Sequence, residues 1–287
     1  MRISGFERLR RTAAPGAIGI CALSLIAAGN ASAAEDASRW DGDARSAVRL
    51  IAGSAAGSVL RAGVEIRLQR GWHTYWRYPG DAGVPPRFDF TGSQNVKAVD
   101  VLWPAPQPIP EHDLVTIGYT GDVILPLAVV PENSARPVKL RLKLDYAVCE
   151  TLCVPAEGKA DLVLTGGSSS QDAALAAAET RVPKKALLGE SAPLAIKSVR
   201  REDGAGGRRV IVDVAAPAGA RVTLFAEGPT PDWALPMPKG VDGAPAGLQR
   251  FALALDGAPP GATYEGIPIS LTAVAGNLAI EVVTRLD

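Results

Sequence analysis

The sequence predicts an all-β protein made of two tandem β-sandwiches joined by a short helical linker. Three observations carry this reading. Short runs of alternating apolar and polar residues recur along the chain, turn-forming Gly (30) and Pro (23) separate them, and one composition break divides them into two blocks. Short alternating strands punctuated by turn signals are the pattern of sandwiches. With 287 residues, one or two domains are expected.

The N-terminus is set aside first. Arg2, Arg8, Arg10 and Arg11 precede an apolar stretch from about 13 to 28, and Ala31-Ser32-Ala33 fits a small-x-small cleavage site. Residues 1–33 read as a cleaved secretory signal. Cys21 follows Ile20, where a lipoprotein signal requires a small residue. Removing the signal takes four basic residues and one acidic residue, which leaves a mildly acidic chain with no electrostatic footprint for nucleic acid. No later apolar run reaches membrane-spanning length, so the mature chain is expected to be soluble and periplasmic, with no transmembrane segment.

The first sandwich is placed at 40–167. "SAVRLIAGS" and "LRAGVEIRLQ" supply two strands, and in the second Val64, Ile66 and Leu68 alternate with polar residues. "GWHTYWRYPGDAGVPPRFDF" (71–90) is broken by Gly and Pro and crowded with aromatics, so an ordered loop is expected. Short strands follow near 96–102 and 122–130. The clearest alternation runs through Val138, Leu140, Leu142, Leu144 and Tyr146, and "ADLVLT" (160–165) closes the block. Residues 168–190 read as a linker with an Ala-rich helix, Ser170 as its N-cap and Pro183 as its stop. The second sandwich, 191–287, draws on "LAIKSVRR", "RRVIVDVAA", "RVTLFAEG", "LQRFALALD", "IPISLTAV" and "LAIEVVTRL".

Once the signal is gone the cysteines are two, Cys149 and Cys153, at the end of the clearest strand. In an oxidising compartment the pair is expected to meet as a disulfide. Extending the alternation past Tyr146 puts Val148 on the core side and Cys149 on the polar side, at a surface. A structural staple is the plain reading, but a five-residue loop contributes only about 2 kcal/mol in the chain-entropy model, against about 3 for fifteen residues. A small exposed disulfide is also among the more reducible kinds, so the spacing leans towards exchange. No C-x-x-C sits at a helix N-terminus to lower a thiol pKa, and Glu150 disfavours a thiolate beside it. The pair therefore reads as passive, reduced by an activated thiol on a partner.

Four stretches resemble, in order, the N-terminal periplasmic domain of DsbD-type protein-disulfide reductases, and within them the ScsB branch linked to copper tolerance. They are "GWHTYWRYPGDAGVPP", "WPAP" (103–106), "IGYTGDVILPL" (117–127) and "LDYAVCETLCVPAEG" (144–158). The resemblance covers about 45–165 and, more weakly, "WALPMP" (233–238). It implies an immunoglobulin-like domain whose cysteines pass electrons between thioredoxin-like proteins beneath a cap loop that moves aside. On that basis Cys149 and Cys153 are the exchanging pair, with Cys153 attacked first. Glu111–Tyr119 is the cap, including His112, Asp113, Leu114, Ile117 and Tyr119, and Tyr75 lies near the cysteines. The cysteine spacing is narrower than in the best-known DsbD members. The partners implied are thioredoxin-like periplasmic proteins or a membrane DsbD-like electron transporter acting in trans, and no cofactor is implied.

Two other readings stay open. The chain could be a binding module with an inert disulfide, docking a partner through the aromatic stretch. Alternatively, two thiolates could hold Cu(I), a soft ion that favours sulfur. A zinc site of two cysteines with His73 and His112 is arithmetically available, but the scattered spacing argues against it. No phosphate-binding Gly loop and no serine–histidine–carboxylate set is present.

Overall fold

The computed structural model describes residues 35–286, apart from 81, 112–113, 205–206, 231 and 256. The signal expected at 1–33 lies outside the described residues. Among those described, no helix is long and apolar enough to cross a membrane.

Among the described residues the architecture is nearly all β, as the alternation predicts, with four sheets and one helix. In the first half, a five-stranded sheet runs in the order Asp41–Gly42, Ser46–Ala56, Val59–Leu68, Val123–Pro131, Val96–Val101. The facing sheet runs Cys153–Leu164, Val138–Cys149, His73–Gly80, Leu114–Thr120, Gln107–Glu111, with Arg87–Asp89 paired beside Val138–Cys149. The second half holds two four-stranded sheets, one ending on Val222–Glu227 and the other centred on Gly207–Ala215 and Leu248–Ala254.

The period-2 pattern does the work predicted for it. Leu140, Leu142 and Leu144 point inward against Val48, Leu50, Val64, Ile66, Leu125 and Leu127, all essentially buried. Lys139 and Arg141 point to solvent on the alternate positions. Burying a branched aliphatic side chain contributes roughly 1.5–3 kcal/mol, so this face fixes the register of the strand. Tyr146 ends the row with its hydroxyl on Ser46 Oγ at 2.8 Å.

Two local expectations differ. The aromatic stretch is not simply a loop, because His73–Gly80 is a strand inside the six-stranded sheet, paired to Val138–Cys149 on one side and Leu114–Thr120 on the other. Its continuous aromatic character reflects burial on both faces, which removes alternation as a signal. Ser170 does not cap the helix, which spans Asp172–Thr180 with Gln171 at the N-cap and no side-chain cap bond. The Ser170 hydroxyl instead donates to Asp36 at 2.8 Å. Asp172, in the first turn, accepts from the Ser54 and Ser169 backbone N–H groups, which suits an anion at a helix N-terminus. The helix stops at Thr180, ahead of Pro183.

That helix docks on the first half. Leu175 is fully buried, and Arg61 grips Glu179 through two bonds of 2.8 and 2.9 Å. The strand His73–Gly80 also reaches the second half. The Trp76 ring lies 5.8 Å from Phe225, and the Tyr78 hydroxyl donates to the Leu235 carbonyl at 2.6 Å. The Arg77 guanidinium packs 4.4 Å over the Trp76 ring and bonds Glu227 and Glu281. Lys185 adds a second cation to Glu281. Burial opposes the charge on Arg77, but its two carboxylates outweigh that and raise its pKa. Burial likewise pushes Glu281 up, and Lys185 and Arg77 overcome it to hold the carboxyl below its usual range.

Candidate redox site

The strands Val138–Cys149 and Cys153–Leu164 pair in unbroken register from Val138↔Leu164 to Cys149↔Cys153. Only Glu150, Thr151 and Leu152 form the turn between them. The hairpin therefore brings the cysteines directly opposite each other across the ladder, with Cα atoms 4.2 Å apart, and the sulfurs are disulfide-bonded.

The two sulfurs have unlike surroundings. Cys153 is exposed, next to the 72% exposed Leu152 at the tip. Cys149 is only 2% exposed, which corrects the expectation that alternation leaves it at a surface. Ala147, Val148 and Cys149 are all buried because both faces of the strand end are covered. Val148 joins the main core, while Ala147 and Cys149 pack under Tyr75.

Tyr75 comes from the adjoining strand, where Cys149 pairs with His73. Its hydroxyl stands 2.8 Å from Cys149 Sγ and 3.1 Å from Cys153 Sγ. Burial, and secondarily the Glu111 carboxylate, pushes the phenol up to about 12. The phenol therefore keeps its proton near neutrality and is a hydrogen-bond donor towards sulfur. The ring is held from its other side by Gly83. A Cβ built at Gly83 would lie 2.4 Å from the ring, and its φ of +119° is a conformation that favours glycine.

His73 and Glu111 complete the buried side. The His73 ring meets Tyr75 edge-on, with centroids 5.5 Å apart. Glu111 Oε1 is 2.6 Å from His73 Nε2, and among the described residues the buried Nε2 makes no hydrogen bond.

The structure thus brings together Cys149, Cys153 and Tyr75 from among the residues the sequence nominates. Most of Glu111–Tyr119 is strand rather than loop, because Gln107–Glu111 and Leu114–Thr120 form a hairpin. Leu114 is 47% exposed just past its tip. Ile117 and Tyr119 turn into the core, where the Tyr119 hydroxyl donates to the Pro104 carbonyl at 2.9 Å. His112 and Asp113 lie outside the described residues. Sequence reasoning did not single out Gly83, included Glu111 only as the first residue of the cap segment, and weighed His73 only as one of two histidines. The signal was available: on a strand, His73 and Tyr75 share a face. A cavity of about 570 Å³ lies away from the cysteines, lined by Gln107, Thr120, Arg181 and Asn277.

Comparison with known proteins agrees with this geometry. Residues 44–165 match the family model of the N-terminal domain of the thiol:disulfide interchange protein DsbD. The fold is shared with the crystal structure of the N-terminal periplasmic domain of ScsB from Proteus mirabilis. That match has a TM-score of 0.68 at 18% identity and covers 88% of this chain and 98% of the other. No curated protein matches the chain. The family match to the DsbD N-terminal domain spans both strands of the cysteine hairpin, and it is set in an all-β fold shared with the ScsB domain.

Proposed function

We propose that this protein is a periplasmic thiol–disulfide exchange carrier, passing electron pairs between thioredoxin-like partners through Cys149 and Cys153. The observation that carries the reading is the asymmetry of the disulfide. One sulfur is open to a partner, and the other is buried against a protonated hydroxyl. The N-terminal signal read from the sequence and the periplasmic origin of the ScsB domain support the compartment.

The chemistry balances in two steps. A partner thiolate attacks Cys153 Sγ, the Cys149–Cys153 bond breaks, and Cys149 leaves as a thiolate that accepts a hydrogen bond from Tyr75. The partner's second thiolate then attacks the partner sulfur of the mixed disulfide, releasing Cys153. The partner ends as a disulfide and this chain as a dithiol, two electrons richer. Towards an oxidised recipient the sequence reverses: Cys153 attacks, and Cys149 resolves the mixed disulfide by attacking Cys153 Sγ. A buried resolving thiol shortens the life of the mixed disulfide because it is already within bonding distance.

The test is a trapping experiment with a measured potential. In the Cys149→Ser variant the exposed Cys153 is expected to accumulate a mixed disulfide with an oxidised thioredoxin-like protein, whereas Cys153→Ser is expected not to. A reduction potential below about −300 mV, with no reduction by a thioredoxin-like dithiol, would identify an inert staple instead.

A further inference from the structure

We infer that reduction of the disulfide opens a zinc site in which His73, Glu111 and Cys149 bind the ion from the buried side and Cys153 closes the shell from outside. The ligating atoms of His73, Glu111 and Cys149 all lie within 4.8 Å of one another. They come from three separate strands, His73–Gly80, Gln107–Glu111 and Val138–Cys149, that the six-stranded sheet brings side by side.

The second observation is the unused imidazole nitrogen. His73 is 5% exposed, and among the described residues its buried Nε2 makes no hydrogen bond, with the Glu111 carboxylate oxygen 2.6 Å away. A buried polar atom left unpaired is costly. An imidazole nitrogen facing a carboxylate and a sulfur is arranged as a ligand, since a lone pair there can face an ion shared with both.

The donor set selects the ion. Zinc accepts sulfur, imidazole nitrogen and carboxylate oxygen together in a tetrahedral shell, whereas Cu(I) is served by the thiolates alone. Two sulfurs, one nitrogen and one oxygen fill four positions. In the disulfide form neither sulfur is a thiolate, so the site exists only after two electrons have been added. As each metal–sulfur bond forms, the corresponding thiol loses its proton, and loading the dithiol releases two protons. Zinc and the disulfide are then mutually exclusive, and the loaded pair is held reduced and unable to attack a partner. This inference uses the same cysteines as the proposed exchange but does not require a partner, only a reducible pair.

The experiment uses the mature chain, reduced with a phosphine that takes up the oxygen of water as it delivers two electrons, and then zinc alone. One zinc per reduced chain is expected by competition with a chromophoric chelator, and none on the disulfide form. His73→Ala and Glu111→Gln are each expected to weaken binding about tenfold or more, and Cys149→Ser to abolish it. Because His73 is buried, X-ray absorption on the zinc-loaded wild type gives an independent reading, with both sulfur and nitrogen or oxygen expected in the first shell. Failure of the reduced wild type to bind zinc, a first shell of sulfur alone or of nitrogen and oxygen alone, or a folded His73→Ala variant with wild-type affinity would each overturn the inference. Phosphine reduction bypasses partners, so failure here leaves the trapping result untouched, and failed trapping leaves the zinc result standing.

Discussion

The Tyr75 hydroxyl lies 2.8 Å from Cys149 Sγ, the buried half of a disulfide whose other half is exposed. The pairing follows from two adjacent strands: Cys149 ends one, and Tyr75 stands two residues along the other from His73, its ladder partner. A donor aimed at the leaving sulfur stabilises charge that develops as the disulfide opens.

Tyr75→Phe keeps the ring and removes that donor. Reduction by a dithiol thioredoxin-like partner is expected to slow about tenfold, in line with the 1.5–3 kcal/mol of a hydrogen bond to a charged group. The Cys149 thiol pKa is expected to rise in the same variant, measured by the pH dependence of alkylation in the reduced Cys153→Ser background. Equal rates and equal titration would show that the hydroxyl only packs.

Gly83→Ala tests what holds Tyr75 in place. The added methyl would overlap the ring at 2.4 Å at a φ of +119°, so either the ring or residues 82–84 must move. Oxidation of the reduced pair by a small oxidant is expected to quicken several-fold, with a loss of roughly 1–3 kcal/mol in stability from overpacking and the strained conformation. An unchanged oxidation rate in a destabilised variant would separate packing from shielding.

Arg77 is the point where the halves share charge. Arg77→Met leaves Glu227 and the 7% exposed Glu281 side chain without their guanidinium. A loss of about 3 kcal/mol in denaturant unfolding is expected, at the low end for a broken buried pair because Lys185 still faces Glu281. Adding Glu281→Gln is expected to restore part of it. If the single variant unfolds like the wild type, the pair adds nothing net.

Acid should weaken the second half through Asp213. Hydrogen bonds from Arg250 first, then Arg200 and Ser198, hold its carboxyl at about 2. Since the folded pKa is depressed from about 4 in an unfolded chain, the contribution is complete above pH 4 and disappears as pH falls through 2. Urea titrations should show the gap between wild type and Asp213→Asn narrowing from pH 5 to pH 2. A constant gap would mean the carboxylate charge is not what the arginines hold.

The sequence by itself determined the all-β class, because period-2 alternation in residues such as Val138–Tyr146 admits few other ways to bury an apolar face. It also located the cysteine pair at the end of that strand and, through motif order, the resemblance to DsbD, but it placed the following strand only at 160–165, whereas pairing begins at Cys153. What it did not carry was the unlike burial of the two cysteines. Alternation reports which face of a strand is apolar, and it loses meaning where both faces are covered, as at Ala147–Cys149. The covering side chain, Tyr75, is distant in sequence and arrives through strand pairing. His73, Glu111 and Gly83 joined the site for the same reason. Tertiary structure decided the chemistry of the sulfurs because exposure, hydrogen bonding and nearby charge belong to neighbours in space.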